Sequence, residues 1–116
     1  SGIWTFPSTG YYYVQFNGVA NAANGGSGAR LGLEIRTSND GFSSDDNLAV
    51  YGRLFKDTNG QNVTASLTQS IIVDITNTSN DKIKFKQTVS GNGTFYGNVS
   101  STEHGTNVVF LKLGDT

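Results

Sequence analysis

Apolar and polar side chains alternate with a period of two along most of this chain, the spacing that sends successive side chains to opposite faces of a β-strand. Tyr12, Val14 and Phe16 share one face, and Tyr11, Tyr13, Gln15 and Asn17 share the other. Leu31, Leu33 and Ile35 alternate with Arg30, Glu34 and Arg36, as in a strand covered on one side only. Ile83, Phe85 and Val89 alternate with Lys82, Lys84 and Lys86. Further strands are expected over Ile3–Phe6, Leu48–Phe55, Asn62–Thr76, Thr94–Val99 and Asn107–Leu113. The β-branched run Ile71-Ile72-Val73-Asp74-Ile75 disfavours a helix within the longest of these.

Turn chemistry separates the runs. Pro7-Ser8-Thr9-Gly10, Asn24–Gly28, Asn77–Asp81, Gly91–Gly93 and Glu103–Gly105 read as turns. Asp57–Gly60 contains the Asn-Gly dipeptide of a hairpin. Residues 37–47 form a long polar loop. About eight strands at regular spacing, with no segment of helical period, predict an antiparallel all-β sandwich or barrel. Tyr12, Val14 and Phe16 are expected in its core, which leaves Tyr11 and Tyr13 for a neighbouring subunit.

The chain's 116 residues suit a single domain, 1–116, with a modest core. Association with copies of itself would bury more apolar surface. A net charge of −1 with only 15% charged residues argues against nucleic-acid binding and a polybasic membrane patch. No apolar run approaches the roughly 18 residues of a membrane span, so no membrane insertion is expected. Polarity comes instead from Ser, Thr, Asn and Gly. The absence of Cys excludes disulfides, thiolate metal sites and cysteine nucleophiles. The opening at Ser1 in strand-like sequence is read as the terminal piece of a longer protein.

Catalytic chemistry is sparse. The single histidine, His104, falls in a turn, where a solvated polar role is the ordinary one. There is no nucleophile elbow and no metalloprotease helix motif, and Gly25-Gly26-Ser27-Gly28 lacks the lysine of a phosphate loop. Glu34, Asp74 and Glu103 are too scattered to suggest a glycosidase pair. No enzyme activity and no cofactor are expected. Calcium is the one metal considered, because Asp40, Asp45 and Asp46 share a loop with Asn39 and Asn47. Trp4, Tyr11 and Tyr13 could stack on sugars, although packing is the commoner use of such residues. Lys82, Lys84 and Lys86 read as a solvated face that discourages edge pairing rather than as an anion site.

The stretch Gly2-Ile3-Trp4-Thr5-Phe6-Pro7-Ser8-Thr9-Gly10-Tyr11-Tyr12-Tyr13-Val14-Gln15-Phe16 resembles the opening signature of the complement C1q-like and tumour-necrosis-factor-like jelly roll. Val14 stands where that family often has Phe. Ser66–Val73, followed by a turn and Asp81-Lys82-Ile83, resembles its paired strands before the last hairpin. Val108–Leu113 is similar to its C-terminal strand, which lies at the trimer's centre. The family usually has one or two strands ahead of the opening motif, and residues 24–60 match in pattern only. The ends, Ser1–Gly10 and Phe110–Thr116, also resemble C-terminal domains of virion structural (fibre) proteins of marine bacteriophages.

The resemblance implies a homotrimeric jelly-roll sandwich at a virion surface or outside the cell. Its partners would be further copies of itself, other virion proteins, and a host-surface receptor or glycan. The alternative is a trimerisation or assembly domain without a receptor. Ligand contacts are expected on residues 37–47, 57–62 and 101–106, with Asn39, Asp40, Phe42, Asp46 and His104 as candidates. Tyr11, Tyr13 and Phe110 are the candidate trimer contacts. Replacing Asp40, Phe42 and Asp46 together by alanine is expected to weaken binding and spare stability.

Overall fold

A computed structural model describes residues 2–22, 29–56, 62–100 and 103–116. Ten strand segments run along the chain. They are β1 (Ile3–Thr5), β2 (Gly10–Ala22), β3 (Ala29–Ser38), β4 (Asn47–Lys56), β5 (Val63–Ile75), β6 (Lys82–Gly91), β7 (Gly93–Tyr96), β8 (Asn98–Ser100), β9 (Glu103–His104) and β10 (Asn107–Gly114). The described residues contain no helix, hence none able to cross a membrane.

Eight of these strands build an antiparallel β-sandwich. Sheet A has the order β1-β6-β3-β4, and sheet B the order β10-β2-β5. β7 pairs with Val19–Ala22 of β2, beyond the stretch Tyr11–Asn17 that β10 occupies. β8 and β9 form a separate small hairpin. Within the sandwich only β3 and β4 are both sequential and paired, and from β1 to β7 the chain otherwise steps from one sheet to the other. The molecule measures 50 × 34 × 21 Å. Its thickness is that of two sheets about 10 Å apart with their outward side chains.

The period-two pattern decides what lies between the sheets. Tyr12, Val14 and Phe16 of β2 point inward and are buried, and Leu33, Ile35 and Ile83 meet them from sheet A. A smaller cluster of Ala20, Ala22, Ala29 and Leu31 closes the other end. Val89 departs from the pattern. It faces inward opposite Leu31 but is half exposed. β1 covers β6 only over Lys82–Lys84, so β6 is a bare sheet edge by the time it reaches Val89.

The turn before β2 depends on its own sequence. The Tyr12 hydroxyl donates to the Ser8 carbonyl at 2.9 Å, and Ser8 Oγ lies 3.0 Å from the same hydroxyl. Gly10 has φ +142°, and a Cβ there would stand 2.4 Å from the Gly114 carbonyl. Only glycine fits this close approach of β2 to the end of β10.

Candidate functional site

The most elaborate surface lies at one end of the sandwich, where residues 39–46 and the β5–β6 turn meet. Asp40 organises the longer loop. Its carboxylate accepts from Ser38 Oγ (2.8 Å), Ser44 Oγ (2.7 Å) and the N–H groups of Ser43 (3.1 Å) and Ser44 (2.9 Å). The Asp45 N–H also donates to it. The Ser44 hydroxyl bond, opposed by partial desolvation and aided by Ser38 and the backbone donors, holds the Asp40 carboxyl well below the usual carboxylate range. Ser38 Oγ receives the Phe42 N–H at 2.8 Å. The loop then turns through Gly41 (φ 71°) and Phe42 (φ 64°), and the Gly41 N–H reaches the Asn80 carbonyl at 2.9 Å. For Phe42 this left-handed conformation is a strain that the loop's other bonds must hold.

Asp46 is anchored differently. It bridges Arg36 Nε and Lys84 Nζ, each at 2.6 Å, and the hydrogen bonds from Lys84 and Arg36 lower its pKa. Donating to Asp46, and then to Glu34, raises the pKa of Arg36. Phe42 packs under the Lys84 ammonium, 4.3 Å from ring centre to Nζ. The carboxylates of this loop are therefore committed to holding the loop. Asp45 accepts from the Asn39 N–H (2.9 Å) and from Asn47 Nδ2 (2.5 Å). Asp40, Asp45 and Asp46, singled out for calcium, do not converge. Among the described residues no group of three or more His, Cys, Asp or Glu side chains does.

The turn opposite is built by the same rule. Asp81 accepts from the N–H groups of Thr76 and Asn77, both at 2.8 Å. Lys82 Nζ donates to the Thr78 carbonyl at 2.6 Å. Between loop and turn lies a cleft of about 290 Å³. Its floor is apolar, from Phe6, Ile71, Val73, Ile75 and Ile83, and its rim is polar, with Asn39, Asp45, Asn47, Asp81 and Lys82. An apolar floor beneath carboxylates and amides suits a small ligand that presents C–H surface and hydroxyls.

The candidates from the sequence scatter over this geometry. Asn39 lines the cleft; Asp40 supports the loop behind it; Phe42 and Asp46 lie against the outer face of sheet A. Of the segments expected to carry ligand contacts, residues 37–47 join β3 to β4 at the end of sheet A beside the cleft. Thr37 pairs with Asn47 at one end of the β3–β4 ladder, while Ala29 pairs with Lys56 at the other. Residues 57–61, 101 and 102 lie outside the described residues, as does the His104 side chain. The His104 backbone pairs with Asn98 in the β8–β9 hairpin rather than forming a turn. Removing Asp40, Phe42 and Asp46 together would dismantle the loop, so stability would not be spared as the sequence suggested. Asp81 and Lys82 carry no local signal of this role, because nothing in the sequence of the Asn77–Asp81 turn shows that it faces residues 39–47 across the sandwich.

The aromatic candidates also separate. Tyr11 and Tyr13 stand on the outer face of sheet B. Trp4 pairs with the inward-facing Ile83, and its ring packs against Phe85 and Phe110. Phe110 lies opposite Val14 and therefore faces the interior, its ring 5.8 Å from Phe6 and from Phe85. It does not share a face with Tyr11 and Tyr13.

The outer face of sheet B has a composition of its own. Leu111, Tyr13 and Ile72 stand side by side across β10, β2 and β5. Two rows along the same face Asn17 Nδ2 donates to Asn107 Oδ1 (2.9 Å), and Thr68 Oγ1 donates to Asn17 Oδ1 (3.0 Å). Along the paired positions of these three strands the one charged side chain on this face is Asp74. Leu111 and Ile72 are 56% and 60% exposed. No family model, curated protein or solved structure matches this chain.

Proposed function

We propose that this domain is a non-enzymatic binding head that self-associates, as a homotrimer, through the outer face of sheet B. The observation that carries this reading is the near-uncharged face with the apolar row Leu111–Tyr13–Ile72. Charge depletion around exposed apolar and tyrosine side chains is the mark of an interface core. The strand orders β10-β2-β5 and β1-β6-β3-β4, with a chain that steps between sheets, support the jelly-roll reading. In the family that the sequence resembles, the last strand lies at the trimer's centre, and here that strand supplies Leu111 and Val109.

The ligand role falls to the cleft beside Asn39, Asp45 and Asp81. Three such clefts on one head would give avidity far above that of one. The likeness of the chain's ends to phage fibre proteins makes a host-surface glycan or receptor the natural ligand and a virion or extracellular surface the natural location. Supporting a binding rather than a catalytic role, Asp45 and Asp81 are held by backbone N–H groups of their own loop and turn. An array of immobilised glycans tests the reading. The account expects retention that Asn39→Ala and Asn47→Ala weaken together. Binding to no glycan and to no host cell would favour the purely structural alternative, an assembly domain.

A further inference from the structure

The outer face of sheet A differs from that of sheet B in charge. Arg30, Arg36, Arg53, Lys82, Lys84 and Lys86 all project from it, six of the chain's eight cationic side chains. Three of these are already engaged. Arg36 and Lys84 are bound by Asp46, and Lys82 by the Thr78 carbonyl. Arg30 and Arg53 have no carboxylate partner among the described residues. Each lies instead over an aromatic ring, Arg30 Cζ 5.5 Å from the centre of Phe55 and Arg53 Cζ 5.3 Å from that of Tyr51. Phe55 and Tyr51 are 63% and 54% exposed. A guanidinium stacked on a ring keeps the N–H groups at its edge free for an anion.

These two arginines flank a gap. Arg53 pairs across the ladder with Gly32, and Gly32 pairs on its other side with Thr88. The Thr88 side chain leans over Gly32, where a Cβ would stand 2.6 Å from Thr88 Oγ1. The notch beside it holds about 180 Å³ and is lined by Arg30, Leu31, Arg53, Thr88, Val89 and Ser90. The nearest carboxylate along β3, Glu34, is turned to Arg36 at 3.0 Å. Two guanidinium groups and two hydroxyls thus surround a small open volume with no anion of the protein's own.

We infer that this notch binds an oxyanion group, a sulfate or phosphate ester, carried on a polysaccharide. Its donors suit an ionised oxygen cluster, and the exposed rings of Phe55 and Tyr51 suit the apolar faces of adjoining sugars. A nucleic-acid strand fits less well. The neighbouring lysine row is partly neutralised by Asp46, so no continuous cationic track follows the notch. The site is separate from the end cleft and does not depend on it.

Binding of the whole chain to dextran sulfate, a phosphorylated mannan, neutral dextran and a thymidine 20-mer tests the inference. The account expects retention on a sulfated or phosphorylated polymer, competition by inorganic sulfate or phosphate respectively, and none on neutral dextran. Which charged polymer binds tighter identifies the ester. Arg30→Gln with Arg53→Gln should weaken binding about tenfold or more, and Thr88→Val should weaken it without changing charge. Lys112→Gln, a charge loss on β10, should stay within about twofold. Melting temperatures report that each variant is folded. Equal losses in the arginine and Lys112 variants would reduce the site to diffuse charge and overturn the inference. Binding to none of the polymers would overturn it too, and tighter binding of the thymidine 20-mer would overturn the polysaccharide assignment.

Discussion

Leu111 stands directly across the β2–β10 ladder from Tyr13, on the outer face of sheet B. Ile72 flanks Tyr13 from the other side. A charge at this position would be desolvated in any interface formed by the face, but would sit in water on a lone domain. Leu111→Asp is therefore expected to dissociate the assembly while leaving the separated domain folded. Sedimentation velocity reads the first effect and near-ultraviolet circular dichroism the second.

The Asp40 network predicts a pH dependence. Its carboxyl titrates lower in the folded chain than in the unfolded one, so the folded state is favoured while the group is ionised. That contribution is fully present above the unfolded value of about 3.9 and is lost as pH falls through the folded value. Asp40→Asn should lower the melting temperature at neutral pH and flatten its fall below about pH 4. It should also speed hydrogen exchange at the Ser43, Ser44 and Asp45 amides. An unchanged acid limb would show that another carboxylate controls it.

Gly10 combines φ +142° with a backbone neighbour 2.4 Å from where its Cβ would be. Gly10→Ala must move either β2 or the end of β10. A loss of about 2 kcal/mol or more is expected, read as a fall in the urea midpoint.

Leu33 is fully buried between the sheets. Leu33→Ala should cost about 3 kcal/mol through lost burial and the cavity left behind. Tyr12→Phe, which removes only the hydroxyl bonded to Ser8, should cost about 1 kcal/mol. A reversal of that order in chemical denaturation would mean that the β1–β2 turn matters more than the centre of the core.

Much of the sandwich was legible in the sequence because half-covered strands announce themselves. Tyr12, Val14 and Phe16, and then Leu31, Leu33 and Ile35, alternate with polar neighbours and lie buried as their spacing requires. Val89 obeyed the spacing but not the burial, because the shortness of β1 is a property of the pairing and not of β6. Phe110 shows a related limit. Its place on the inner face follows from its register with Val14, and register across sequence-distant strands has no local signature. The sites were less legible. Ser38-Asn39-Asp40-Gly41 carries the chemistry of an Asx-type loop, so the structural role of Asp40 had a readable signal that was assigned to ligand binding. The Arg30–Arg53–Thr88 notch had none, since its parts come from three strands that only the sheet pairing brings together.

Self-association through sheet B is the claim on which the binding-head reading rests, and light scattering on the wild-type chain tests it most directly. The account predicts a solution mass three times that of the 12.3 kDa chain, constant over a wide range of concentration. A mass of one chain under the same conditions would contradict it.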